Sequence, residues 1–312
     1  MSSLNYALNS LLELHEVYRR WLPTLDLEVL DVILSCACDR KMSGIPVWLY
    51  LIAPSAGLKN ELINALEGWD TVFIDRLTPS TLVSGYESRS GVRVRGLMQR
   101  LDGKVLLVRD FTLLLEMDRK CRNEIFAQLR IAYDGTLSFG YGVLPDPVEV
   151  RASFGLIAAV TPVIDVYTSV SSLLGERFLK IRAKQNLEQS TIQSRLNEGK
   201  EEQMRNELNL TTVNFLKSLR FDNIPSLGQE QGFQIDALAE FVAEARTVVK
   251  YSWDGSPTID VEPATEYPTR LVKQLAKLCR LISIVRGHSI ILDEDLATVV
   301  RVARDTVLPR RM

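Results

Sequence analysis

Histidine is nearly absent from this chain: His15 and His288 are the two in 312 residues. Cysteine is almost as scarce, and the four present (Cys36, Cys38, Cys121 and Cys279) show no C-x-x-C spacing. The two shortages argue against a zinc site and against a disulfide framework, and the expected state of the cysteines is a buried, reduced thiol. Long apolar runs are also missing. The longest, such as VWLYLIA at 47–53, fall far short of the roughly 20 residues that a membrane-crossing helix needs. The first ten residues, MSSLNYALNS, lack the basic-then-apolar order of a signal peptide. The expectation is a soluble, cytoplasmic protein without a membrane partner. Neither sign of charge dominates: 37 basic and 39 acidic residues leave a net charge of -2. Any contact with nucleic acid must therefore come from a local patch rather than from the overall field. No internal repeat or low-complexity tract is present.

What the chain does have is apolar residues, 46% of the total, enough for one large core or two ordinary ones, with length favouring two. Residues 1–45 carry apolar positions at helical spacing (Leu11, Leu12, Val17, Leu22, then Leu27, Leu30, Ile33, Leu34), which predicts two helices. Short apolar strands then alternate with helical stretches. VWLYLI (47–52), TVFID (71–75), KVLLVRDF (104–111) and FGLIAAVT (154–161) are the strands, and RKCRNEIFAQLRIAYDG is a helix ending on glycine. That alternation predicts an α/β core over 46–183, with a mostly parallel sheet between helices. From 184 to 312 the pattern predicts an all-helical unit, with helices near 235–251 and 266–287 and a last one starting at Asp293, a candidate N-cap.

One stretch points to chemistry. APSAGLKNEL (53–62) follows directly on the first strand, where a phosphate-binding loop would sit. Such a loop works because backbone N–H groups at a strand-to-helix turn point at the anion, and a lysine adds charge. Against the template G-x-x-x-x-G-K-[ST], Lys59 matches, Ala53 and Leu58 replace the glycines, and Asn60 replaces the hydroxyl that would ligate Mg²⁺. Gly57 is a glycine shifted by one, and Leu58 is expected in a conformation that a branched side chain dislikes. Alone, the match is weak.

Its surroundings strengthen it. KVLLVRD ends in Asp110, placed to hold Mg²⁺ directly or through water, and the next residue is Phe111 where a water-orienting glutamate would be expected. FGLIAAVT ends in Thr161, able to reach a γ-phosphate. Arg177, in LLGERFLKIR, falls in a helix-to-strand turn, from which a guanidinium can reach a neighbouring subunit's γ-phosphate. Arg270, in TEYPTRLVKQL, lies near a helix start in the helical unit, where it would fold over the nucleotide. A hairpin is expected in TLSFGYGVLPDPVEVRASF, between the helix ending in IAYDG and the FGLIAAVT strand.

The order of these parts resembles the AAA+ ATPases from about residue 45 to 307. APSAGLKN is similar to Walker A and KVLLVRD to Walker B, with Thr161 at sensor 1, Arg177 at the arginine finger and Arg270 at sensor 2. The hairpin before sensor 1 resembles the branch that contains minichromosome-maintenance helicases and MoxR-type ATPases. The resemblance implies an AAA+ α/β core with a C-terminal helical lid, and ATP and Mg²⁺ as cofactors. It implies that Pro54, Ser55, Ala56, Gly57, Leu58, Lys59, Asn60, Glu61 and Arg270 contact nucleotide, that Asn60 and Asp110 hold the metal, and that Asp110, Thr161 and Arg177 are the catalytic set. It also implies assembly into a homo- or hetero-oligomer, a ring or filament, through the nucleotide interface. SGYESRSGVRVRGLMQR (84–100) carries Arg89, Arg93, Arg95 and Arg100 as candidate contacts to DNA, against the alternative of a solvated charged loop. The resemblance implies that a DNA-binding domain could follow the short basic LPRRM end. With Phe111 in place of the glutamate, the expectation is an ATP-binding protein with weak or absent hydrolysis. Two alternatives stay open: an active DNA-linked ATPase of a phage or mobile element system, and a nucleotide-free scaffold.

Overall fold

The computed structural model describes residues 2–55, 58–82, 86–87, 93–94, 96–139, 148–167, 177–184, 192–193, 195–247, 250–251, 259–261 and 265–307. Two helices come first, α1 (Ser2–Trp21) and α2 (Leu27–Ala37); Asp26 caps α2 by accepting from the Glu28 N–H. The strands β1 (Trp48–Ile52) and β2 (Thr71–Ile74) flank the short helix α3 (Lys59–Asn64). A small antiparallel pair, β3 (Tyr86–Glu87) and β4 (Arg93–Val94), precedes α4 (Met98–Leu101), so the described parts of the arginine-rich stretch are two short strands and a helix. Then come β5 (Val105–Val108), α5 (Thr112–Leu115) and α6 (Arg119–Tyr133). Helix α6 starts at a cap, Asp118 accepting from Lys120 and Cys121, and ends at Gly135, whose φ of 88° is the left-handed turn that glycine adopts without strain.

The hairpin expected before the fourth apolar strand is present: β6 (Thr136–Phe139) runs antiparallel to β7 (Val148–Arg151). Next are β8 (Gly155–Val160) and β9 (Phe178–Arg182), and then α7 (Glu201–Ser218) and α8 (Gln229–Ala245). The chain closes with α9 (Thr269–Val285) and α10 (Asp293–Thr306). Between α8 and α9, β10 (Lys250–Tyr251) pairs with β11 (Ile259–Val261), so the part after 184 is not all-helical. The sequence of that part, with TVVKY and TIDV, is rich in β-branched residues, which favour extended backbone. The cap of α10 also differs from expectation. Asp295, not Asp293, accepts from the Leu292 N–H, because its position in the first turn lets the carboxylate reach back.

The main sheet has five parallel strands in the order β2-β5-β8-β1-β9. Its two faces follow the period-2 alternation of the strands. Leu49, Leu51, Ile157, Ala159, Leu179 and Ile181 belong to one buried cluster that also contains residues of α1, α2, α3 and α7 to α10. Trp48, Tyr50, Ile52, Leu156, Ala158 and Val160 belong to the other, with α4, α5, α6 and the β6–β7 hairpin. The result is an α/β three-layer arrangement with helices on both faces. The C-terminal helices share the core of the N-terminal pair, and two contacts fasten them. Lys277 of α9 forms a buried ion pair of 2.6 Å with Asp39, which also accepts from Val47 N–H at the entry to β1. Along the edge strand β9, the N–H groups of Lys180 and Arg182 donate to Thr306 and Asp305 of α10, so side chains cover an edge that another chain would otherwise pair with. Among the described residues, no helix is long and apolar enough to cross a membrane.

Candidate functional site

Strand order decides where a ligand can sit. From β1 the chain crosses β8 and β5 to reach β2, whereas from β8 it crosses β1 to reach β9. The connections leave β1 and β8 in opposite directions, and the crevice beyond the carboxyl ends of such a pair is the usual ligand site of a parallel sheet. Lys59, Thr161 and Asp110 all lie at that end. β8 runs between β1 and β5, so Asp110 is two strands away from the loop, about 10 Å, with Thr161 between them.

Lys59 opens α3 and is buried, and its Nζ donates to the Ala53 carbonyl at 2.7 Å. Burial pushes its ammonium below the usual lysine range, an effect that the Asp110 carboxylate partly offsets. Leu58 before it has φ -65° and ψ -2°, ordinary right-handed values, so the expected strain is not there. Its side chain is half-buried against the core instead. Ala56 and Gly57 lie outside the described residues. Pro54, Ser55 and Asn60 are exposed. Glu61 is held by Arg205 of α7 at 2.8 Å, which ties the loop helix to the C-terminal helices.

Asp110 is exposed, and its Oδ1 accepts from the Thr112 N–H at 2.9 Å. The Thr112 hydroxyl accepts from Thr161 N–H at 3.1 Å and lies 3.3 Å from the Thr161 hydroxyl. Thr112 thus couples the acid strand to the polar strand end, a role the linear pattern did not single out. The signal available was its place two residues after a strand-terminal aspartate, where an Asx turn captures a backbone N–H. Phe111 turns the other way. Its side chain is fully buried, with ring centroids 5.1 Å from Tyr50, 6.0 Å from Phe178 and 6.3 Å from Phe126.

The two arginines are elsewhere. Arg177 precedes β9, whose Phe178 pairs with Trp48 at the start of β1. It therefore lies at the amino end of the sheet, a strand length of about 13–17 Å from the Lys59 end. It is buried rather than projecting outward: Nη2 donates to Asp134 at 3.1 Å, and the guanidinium is 5.4 Å from the Tyr133 ring centroid. Arg270 joins it there, 5.7 Å from the same ring and bonded to Glu266 at 2.8 Å. Gln274 of α9 fixes the arrangement by donating to the Arg177 carbonyl. Burial first, and the Arg270 charge second, hold the Arg177 pKa below the usual arginine value. The structure brings Arg270 to Arg177, not to Lys59.

Of the candidate DNA contacts, Arg100 is exposed on α4. Arg93 contributes backbone to β4, and Arg89 and Arg95 lie outside the described residues. No three His, Cys, Asp or Glu side chains form a metal-binding group among the described residues. One carboxylate, Asp110, joined through Thr112 to the Thr161 hydroxyl, is a hard oxygen set too small for a metal cage. It fits Mg²⁺ held jointly with phosphate oxygens. No family model matches the chain, and no curated protein matches it.

Proposed function

We propose that the chain is an AAA+-type ATP-binding protein in which nucleotide locks subunits together for a regulatory or DNA-linked complex, with hydrolysis weak or absent. The observation that carries this reading is the convergence of Lys59, Thr161 and Asp110 at the carboxyl ends of β1, β8 and β5, combined with the inward turn of Phe111. Lys59 and Asn60, with the N–H groups of the α3 end, would hold the phosphates of ATP, and Asp110 would hold Mg²⁺. Bound metal and phosphate would supply the charge that draws Lys59 off the Ala53 carbonyl. Thr112 and Thr161 orient hydroxyls at the same end of the sheet. No carboxylate stands at position 111 to orient a water, so the site suits binding better than cleavage.

Arg177 and Arg270 lie too far from Lys59 to serve the same phosphate. In an oligomer they would present cations to a neighbour, with Arg177 released from Asp134, and that would link assembly to nucleotide.

Titration with a fluorescent ATP analogue, alongside a phosphate-release assay, tests the proposal. Binding that Lys59→Ala abolishes, with no release, is the expected result. Turnover that Asp110→Ala abolishes would replace it with the active ATPase. Absence of binding at millimolar nucleotide would leave the scaffold.

A further inference from the structure

Helix α8 carries four acidic residues and no basic one, yet two of its phenylalanines are exposed: Phe233 is 62% and Phe241 56% accessible. On a helix of 3.6 residues per turn, Glu230, Gln234 and Phe241 share one face, with Phe233 and Glu244 at its margin. Glu230 and Gln234 line a cleft of about 830 Å³ between α8 and α10. The floor of the cleft is Leu296 of α10 and Ile291, both buried. Its walls are the exposed side chains of Ile290 and Val300, 64% and 46% accessible. Apolar side chains so exposed, gathered around one concavity, mark an interaction site rather than scattered surface residues.

The charge around the cleft selects the occupant. Its charged lining residues are both acidic, Glu230 and Asp293; Glu240 and Glu244 are exposed farther along α8, and α10 carries one exposed cation, Arg304, a turn beyond Val300. The acidic lining repels nucleic acid and anionic lipid and attracts lysine and arginine. A trough between two packed helices suits a third helix laid along it with apolar anchors at i, i+3, i+4 and i+7. We propose that the α8–α10 cleft docks a basic amphipathic helix of a partner protein, its apolar side chains seated on Ile291 and Leu296 and its cations on Glu230, Glu244 and Asp293. The proposal does not depend on nucleotide binding at Lys59.

Fluorescence anisotropy with a labelled helical peptide of leucines at those spacings and lysines elsewhere provides the test, with a leucine–glutamate peptide as counterpart. The lysine peptide is expected to bind and the glutamate peptide not. Ile290→Ser with Val300→Ser, and separately Glu230→Lys with Glu244→Lys, are expected to weaken binding by about tenfold or more. All four positions are exposed, and circular dichroism confirms that the variants fold. No binding of the lysine peptide, equal binding of both peptides, or unchanged binding to either folded double variant would overturn the proposal.

Discussion

At the scale of single residues, Phe111 decides what the site can do. A glutamate there would follow the same backbone, because the Phe111 N–H is fixed to the Ala159 carbonyl at 2.8 Å and the side chain points among Tyr50, Phe126 and Phe178. Phe111→Glu should therefore not create a hydrolase. It should bury an unpaired carboxylate and lower stability by more than about 3 kcal/mol at pH 7, measured by urea unfolding, with phosphate release still absent. Lys59 was legible from the sequence because a lysine just after a strand-to-loop turn is a local pattern. Thr112 was not, because its bond to Thr161 joins the ends of the neighbouring strands β5 and β8, and no spacing along the chain encodes that.

At the scale of elements, the strands β1, β5 and β8 were readable as apolar runs between turns, since a strand buried on both faces has no polar alternation to hide it, and the half-buried edge strand β2 was readable from its β-branched and aromatic residues. Their order was not readable. That β8 separates β1 from β5, and so puts Thr161 between Lys59 and Asp110, follows from pairing. The anchoring of α9 was equally hidden. Its start carries Arg270 to Arg177, and its middle inserts Lys277 beside Asp39. Burial raises the Asp39 pKa and lowers that of Lys277, each partly offset by the other. Lys277→Met leaves the buried carboxylate with the longer 3.5 Å pair to Arg40 as its remaining cation and should cost about 3 kcal/mol at neutral pH. A group whose folded pKa lies above its unfolded value favours folding when protonated, and this contribution fades as pH rises through the folded pKa. The deficit of Lys277→Met relative to wild type should therefore shrink on acidification, as Asp39 takes up its proton. Urea unfolding of both proteins across acid to neutral pH checks this. A pH-independent deficit would mean that lost packing, not the stranded charge, sets the cost.

At the scale of the molecule, one sheet has two ends with different equipment. The carboxyl end gathers Lys59, Thr112, Thr161 and Asp110, and the amino end gathers Arg177, Arg270 and Tyr133. In the proposed assembly the first end holds nucleotide and the second reads a neighbour's. Arg177→Ala should then leave nucleotide affinity of the single chain intact while abolishing ATP-dependent assembly, as read by sedimentation velocity with and without nucleotide. Assembly that persists in the variant would remove Arg177 from the interface. The central claim, binding without cleavage, is tested most directly by the chemical state of the retained nucleotide. The protein is incubated with ATP and Mg²⁺, separated from free nucleotide and denatured, and the released nucleotide is then analysed by chromatography. The account predicts intact ATP, retained by wild type and lost in Lys59→Ala. Recovery of ADP, with phosphate appearing over time, would contradict it.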